Sequence, residues 1–430
     1  MTSRAHAAPG PRRTPLHPVH RELEAVFTDF GGWEMPLRYG SDLAEHHAVR
    51  TSAGLFDLSH MGEVKVEGPG AGAALDHALV GRISAVAVGR ARYSMMVTDR
   101  GGIIDDLIVY HVGQEEFLVV PNASNREHVA AELVARCAGF EAVVTDMSLS
   151  TALLAVQGPR AEEVLRGVVE SGAGIPAALR PAPDGPDDEG CGPDVLCGEG
   201  ILARLRYYAA VRATAAGHNI LLARTGYTGE DGFELFCGAE DAEDLWRVIT
   251  DSAEALDAAG PEGPAGQGPD GAQGGSVLTP CGLAARDSLR LEAGMPLYGH
   301  ELLRTITPFD ASLGAVVGLD KPDFVGREAL RERSRRQGDQ DTQVLVALSG
   351  RGRRAARAGC PVLDASGREL GAVTSGLLSP TLGHPIALAR IRPHSAQEPA
   401  WPVGAELEVE VRGRRMPMTV VAAPFYQRPR

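Results

Sequence analysis

GGIIDDLIVY, residues 101–110, begins with two glycines and continues as an apolar run broken only by the adjacent carboxylates Asp105 and Asp106. A short run of this kind predicts a strand covered on both faces. Side chains alternate along a strand, so Ile104, Asp106, Ile108 and Tyr110 share one side and Ile103, Asp105, Leu107 and Val109 the other. Only one aspartate faces a given site. An ionised carboxylate among apolar neighbours is costly unless it is paired or hydrogen-bonded. Two readings follow: a functional carboxylate held by the strand, or structural carboxylates at a turn and strand edge.

Outward from this strand, helical patterns at 125–137 and 161–169 alternate with strand candidates at 117–120 and 152–156, an α+β arrangement. Residues 181–200 (PAPDGPDDEGCGPDVLCGEG) and 258–276 (AAGPEGPAGQGPDGAQGGS) are dense in Pro, Gly and acid. Neither buries enough apolar surface to offset its ordering entropy, so both are expected to be exposed, mobile insertions. Residues 323–337, DFVGREALRERSRRQ, read as a charged connecting helix. After Thr342 the texture changes to short alternating strands, VLVALSG, CPVLD, ELGAVTSG, ALARI and ELEVEVRG, separated by turn residues. Residues 342–430 therefore read as a small all-β barrel or sandwich.

A chain of 430 residues, 44% hydrophobic and 23% charged, is that of an ordinary globular protein with room for two or three domains. No apolar run of about 18 residues predicts a membrane span, and residues 1–20 lack the apolar centre of a secretory signal. A cytoplasmic protein with no membrane association is expected. Residues 1–13 read as a disordered extension. The six cysteines are scattered without CxxC or His/Cys spacing, so neither a metal site nor a disulfide framework is expected. A formal charge of −14 opposes broad nucleic-acid binding, while leaving room for a local basic pocket that takes a small anion.

Several segments carry chemistry. RTGYTGEDGFEL, 224–235, sets Gly226, Gly229 and Gly232 in a polar turn before the strand-like 233–236. Glycines there permit positive φ and close ligand approach, and alternation turns Glu234 away from Phe233 and Leu235. Glu234 is either a surface carboxylate or an acceptor for two parallel N–H bonds from a flat amidine-like edge. In CGLAARDSLRLEAGMPLYGHEL, 281–302, Leu283, Arg286 and Arg290 fall on neighbouring helical turns and Gly294 ends the pattern. The two arginines either reach one anion or form a salt-bridged solvent face with Asp287 and Glu292. DLSHMGE (57–63) and ARYSMMV (91–97) add His60, Met61 and Tyr93, with His60 read as structural and Met95 and Met96 as packing. No GxSxG elbow, P-loop lysine or strand-linked GxGxxG is present, which disfavours hydrolase, NTPase and dinucleotide chemistry.

Taken together and in order, DFGGWEMPLRYG (29–40), VRTSAGLFDLSHMGE (49–63), YSMMVTDRGGIIDDLIVY (93–110), LLAVQGP (153–159), RTGYTGEDGFEL, RDSLRLEAGMPLYGHEL, SGLLSPTLG (375–383) and PFYQR resemble the aminomethyltransferase, or T-protein, family of the glycine cleavage system. The match runs from about residue 14 to residue 426. The resemblance implies a multidomain folate-binding T-protein fold, a cloverleaf of three domains around a central folate site. Residues 14–340 would form two intertwined α+β domains and residues 341–430 a C-terminal β-barrel domain. It further implies transfer of the carbon of the aminomethyl group on the lipoyl arm of H protein to tetrahydrofolate. The products would be ammonia, 5,10-methylenetetrahydrofolate and dihydrolipoyl H protein.

By resemblance Asp106 is the key catalytic carboxylate, Glu234 anchors the pterin, and Met61, Tyr93, Asn122 and Tyr227 line the folate pocket. Arg286 stands near the folate, and the tail ending at Arg430 returns toward the same site. Asp105 is left as the structural member of its pair, satisfied by backbone or a basic group. The runner-up is a stand-alone folate-dependent demethylase of the same fold. Demethylating dehydrogenases and oxidases carry a large flavin domain for which this chain has no room, and relatives supporting iron–sulfur or RNA maintenance carry a KGC-like motif that it lacks.

Overall fold

The computed structural model describes residues 10–173, 195–259, 276–336, 339, 342–395 and 400–429. The carboxylate run becomes the strand Ile103–Gly113, second in a five-stranded antiparallel sheet ordered Ala91–Val97, Ile103–Gly113, Glu116–Pro121, Val64–Glu67, Val143–Asp146. One face is covered by helices Ala71–Ala78 and Arg126–Cys137, which bury Leu75, Val129 and Leu133 against Leu107, Val109 and Val119. The other face meets a second sheet.

Period two holds from Asp105 to His111 and fails at Ile104, one residue before that stretch. Met96 opposes Asp105 but Val97 opposes Ile103, so Ile104 is the extra residue of a β-bulge. It packs with Leu107 and Val109, not on the Asp106 side that simple alternation assigns to it. The glycines just before the bulge are demanded by the fold: Gly101 has φ +83°, and a Cβ on Gly102 would lie 1.8 Å from the carbonyl oxygen of Arg304. Gly102→Ala is therefore expected to destabilise the protein by about 1–3 kcal/mol, as overpacking against backbone does, read as a lower thermal midpoint.

The second sheet has eight strands, ordered Val195–Cys197, Val169–Ala173, Ala210–Ala215, His218–Ala223, Gly232–Gly238, Thr151–Gln157, Ala53–Asp57, Leu278–Pro280, with only the last pair parallel. Its outer face is closed by helices Ala161–Arg166, Gly198–Arg204 and Ala242–Ala259. The last buries Ala242, Leu245, Trp246, Ile249 and Ala253, one stripe at helical spacing. Six strands from Val344–Gly350 to Arg414–Val421 close into a barrel, which decides between the barrel and sandwich readings.

Some sequence expectations shift. Val169 begins a strand because the helix stops at Arg166. The charged connecting helix spans Arg327–Arg335. Residues 181–194 and 260–275 of the expected insertions lie outside the described residues, but 195–200 form a strand and the start of a helix, and 258 and 259 end a helix. The acidic, glycine-rich texture hid them; Ile201 and Leu202, just beyond the quoted stretch, anchor that helix in the core. Arg12 and Arg13, expected in the extension, belong to the fold: Arg12 N–H donates to Gly32 O at 2.8 Å, and Arg13 pairs with Glu34 at 2.8 Å.

Candidate active site

The Asp106 face of the five-stranded sheet packs on the inner face of the eight-stranded one, where Tyr110, Val120, Leu153, Ala155 and Phe236 share a core. Between the sheets a cavity of about 250 Å³ remains. Met61, Tyr93, Asp106, Asn122, Tyr227, Glu234 and Arg286 all line it. The structure thus brings these seven residues, all those the family resemblance assigns to the site except Arg430, into one place. Arg430 lies outside the described residues; nearby, Arg428 pairs with Asp231 at 3.2 Å.

Asp106 is held on both oxygens. Tyr93 Oη donates to Oδ2 at 3.0 Å and Asn122 Nδ2 to Oδ1 at 2.8 Å. Burial pushes the Asp106 carboxyl up to about 6, against those two hydrogen bonds and the positive charge of Arg286. Asp105 points to the other side. Its Oδ2 accepts from the backbone N–H of Asn122 at 2.8 Å, and its Oδ1 from Asn125 Nδ2 at 2.7 Å and Asn122 Nδ2 at 3.0 Å. The donors are one backbone and two side-chain amides, so no basic group is involved. Burial, with the charge of Asp106, raises the Asp105 carboxyl well above its ordinary range.

Glu234 stands across the cavity. Tyr110 Oη donates to its Oε2 at 3.1 Å, and Thr225 Oγ1 donates to the same oxygen. Burial raises its carboxyl, opposed by these hydroxyls and by Arg286. The glycines of 224–235 serve this arrangement differently from the sequence reading. Only Gly229 has positive φ, +82°, while a Cβ on Gly226 or Gly232 would come 2.0 or 2.5 Å from the Gln157 amide. That amide donates to Thr225 O at 3.0 Å and accepts from Thr228 Oγ1 at 3.0 Å, holding the loop over the cavity.

Arg286 and Arg290 part company. The Arg286 guanidinium lies over the Tyr227 ring, 4.6 Å from its centroid, and makes no hydrogen bond or ion pair among the described residues. Burial among these groups lowers its pKa. Arg290 is buried elsewhere, pairing with Asp287 at 2.8 Å and Glu301 at 3.1 Å and donating to Ser375 Oγ at 2.9 Å. Two positions four apart on a helix share a face, but the barrel covers the second and leaves the first to the cavity. Glu292, expected beside Arg290, pairs with Arg50 at 2.9 Å.

His60 is fully buried, edge-on to Phe30 at 5.4 Å, and burial followed by the charge of Arg286 lowers it to about 3, so it stays neutral. Met95 and Met96 are core residues. Sequence reading missed Tyr110, Thr225 and Tyr208. Alternation had already put Tyr110 on the Asp106 face, but nothing in a linear sequence pairs it with a residue 124 positions away. Tyr208 lines the cavity with φ +59°, a conformation rare for a bulky residue.

The chain matches the GCVT N-terminal domain over residues 16–176, 198–262 and 271–321, and the glycine cleavage T-protein C-terminal barrel domain over 343–427. It is 49% identical to an aminomethyltransferase of Cutibacterium acnes over 418 residues, 97% of this chain and 99% of that one. It is also 49% identical to one of Streptomyces avermitilis over 420 residues, 97% and 98% of the two chains. A crystal structure of the glycine cleavage system aminomethyltransferase T from Bartonella henselae superposes with a TM-score of 0.76 at 32% identity, covering 97% of this chain and 98% of that one.

Proposed function

Because the chain belongs to the aminomethyltransferase (T-protein) family of the glycine cleavage system, we propose that its cavity holds tetrahydrofolate against Glu234 with Asp106 at the reacting carbon. The activity is that of an aminomethyltransferase: the carbon of the aminomethyl group on the lipoyl arm of H protein passes to tetrahydrofolate, with release of ammonia. One observation carries the residue assignment. Two carboxylates, Glu234 buried and Asp106 half-buried, each bonded to a tyrosine, face a single cavity lined also by Arg286, which has no ion pair among the described residues.

The residues present fit tetrahydrofolate. Glu234 keeps Oε1 free of hydrogen bonds among the described residues, an acceptor suited to the flat N–H edge of a pterin. Tyr93, Tyr208 and Tyr227 supply aromatic walls, and Arg286 supplies positive charge for a ligand that carries carboxylates. At about 250 Å³ the cavity is smaller than the roughly 300–1,000 Å³ usual for ligand sites, so it suits the ring system of the ligand with the remainder reaching outward.

Tetrahydrofolate supplies the nucleophilic amine. The chain supplies a fixed negative charge: Asp106, locked by Tyr93 and Asn122, stands where the aminomethyl carbon becomes cationic as its leaving group departs. A charge held in place before the reaction stabilises that state without reorganising, as donor groups do for oxyanions. Asp106 also serves to orient the folate amine and relay a proton.

The demethylase alternative is not favoured, since similarity to aminomethyltransferases extends over 97% of the chain. We propose H protein as the macromolecular partner and no nucleic-acid partner, in keeping with the charge of −14. Among the described residues no helix is long and apolar enough to cross a membrane. Free thiols at Cys137, Cys237, Cys281 and Cys360 support placing the reaction in the reducing cytoplasm. The boundary between the folate-binding region and the barrel domain is proposed at residues 340 and 341, between helix Arg327–Arg335 and strand Val344–Gly350.

The test is direct. With tetrahydrofolate and aminomethylated H protein, the protein is expected to release ammonia and form methylenetetrahydrofolate together. Ammonia release indifferent to folate, or no release, would overturn the assignment.

A further inference from the structure

Glu234 is gripped on one oxygen by two hydroxyls that come from outside its own strand. Tyr110 reaches it from strand Ile103–Gly113 of the other sheet, at 3.1 Å, and Thr225 from the loop that precedes strand Gly232–Gly238. The two hydroxyl oxygens are 3.0 Å apart, so the three groups form a closed triangle around Oε2. Tyr110 and Thr225 are each 1% exposed and Glu234 9%, so water does not replace these donors cheaply. Thr225 is itself set by the Gln157 amide, which binds its carbonyl. Nothing else among the described residues hydrogen-bonds to the Glu234 carboxylate.

We propose that Tyr110 and Thr225 are positioning residues for ligand recognition, pinning Oε2 so that Glu234 stays a carboxylate in one rotamer and turns Oε1 to the paired N–H donors of a 2-amino-4-oxopteridine. This rests on the folate reading above. The chemistry requires it: a protonated carboxyl would present an O–H to an N–H edge, and a freely rotating one would lose the fixed aim of Oε1 at that edge on which a charge-assisted hydrogen bond depends.

The groups facing Glu234 set the balance. Burial favours its neutral form; Thr225, Tyr110 and the cation Arg286 from helix Leu283–Glu292 favour the ionised form. Tyr207 and Tyr208, on the segment before strand Ala210–Ala215, have pKa values raised chiefly by burial and further by the charge of Glu234, so they remain neutral. Removing either hydroxyl tips this balance toward protonation, so affinity for the pterin must fail at a higher pH than in the parent protein.

Tetrahydrofolate binding by the full chain, measured by fluorescence quenching across the acid range, tests the proposal. Tyr110→Phe and Thr225→Val are each expected to weaken binding about tenfold, the loss of a hydrogen bond to a charged group. Each is expected to move the acid limb of binding upward in pH and to raise KM for folate far more than it lowers kcat. Thr225→Ser, which keeps the hydroxyl, is expected to restore both affinity and pH profile. A purely structural role would lower the thermal midpoint without moving the acid limb. The proposal falls if the parent protein binds tetrahydrofolate and Glu234→Gln loses it, yet Tyr110→Phe and Thr225→Val bind with unchanged affinity and acid limb. Should Tyr110→Phe fail to fold, the Thr225 pair decides alone. If the parent protein itself ignores tetrahydrofolate, the folate reading is what fails.

Discussion

Asp106→Asn is expected to lower turnover by roughly 10²–10⁴-fold, the range associated with loss of a positioned catalytic group, while the protein stays folded and still binds folate. Asparagine matches aspartate in shape and keeps an oxygen for one of the two donors, Tyr93 Oη or Asn122 Nδ2. It removes a charge whose burial is unfavourable, as the rise of that carboxyl to about 6 records. A folded-state pKa raised above the ordinary value of 3.8 means the group's ionisation opposes folding as pH climbs through about 6, so the neutral substitute is not expected to cost stability. Catalysis has the opposite requirement, because only the ionised form can face a developing cation. Turnover of the parent enzyme should therefore fall below about pH 6, and the residual rate of Asp106→Asn should lack that limb. Near-normal turnover in the variant, or the same acid limb in both proteins, would remove Asp106 from the reacting centre.

Arg50→Ala carries the largest expected effect on stability. Its guanidinium pairs with Glu230 and Glu292, each at 2.9 Å, and donates to Thr228 O at 2.8 Å. The Tyr426 ring lies 4.0 Å from its central carbon. Glu292 in turn accepts from Ser379, from Thr381 N at 3.0 Å and from Thr381 Oγ1 at 2.8 Å. One buried cation thus joins helix Asp42–Thr51, the cavity loop 224–231, helix Leu283–Glu292, the barrel loop and the C-terminal tail. Removing it takes the arginine partner from two buried carboxylates, Glu230 and Glu292, a change worth about 3–5 kcal/mol when one partner of a buried pair is lost. Burial alone would raise the Glu292 carboxyl, but hydrogen bonds from His46 and Ser379 and the charges of His46 and Arg50 hold it at about 2. A depressed carboxylate stabilises the fold fully above its ordinary value of 4.5, and that contribution disappears as pH falls from there toward 2. Urea unfolding should show a much lower midpoint for Arg50→Ala at neutral pH, with the difference shrinking in acid. A midpoint within experimental error of the parent would show that the junction does not depend on this cation.

Part of the site was legible without coordinates. Ordered motifs gave the family, and period two alone separated Asp105 from Asp106 and lifted Glu234 away from Phe233 and Leu235. The change from mixed helix and strand to short alternating strands after Thr342 marked the barrel. Less was readable wherever a residue's role depends on a partner far along the chain. Arg286 and Arg290 look equivalent on a helix, yet one is covered by the barrel and paired with Glu301 while the other lies bare over Tyr227. Gly226 and Gly232 read as turn glycines, whereas their lack of Cβ makes room for Gln157.

The sequence by itself determined that Asp105 and Asp106 take opposite strand faces, because that follows from the stereochemistry of an extended backbone. It also determined which residue types are available to meet a folate. Only the tertiary structure decided that Ile104 bulges out of the alternation, that Tyr110 and Thr225 close on Glu234, and that a single arginine ties the barrel to the cavity loop. The Tyr110 and Arg50 contacts join segments more than a hundred residues apart, where burial and the need to satisfy every buried polar group select one partner among many of the same chemical type.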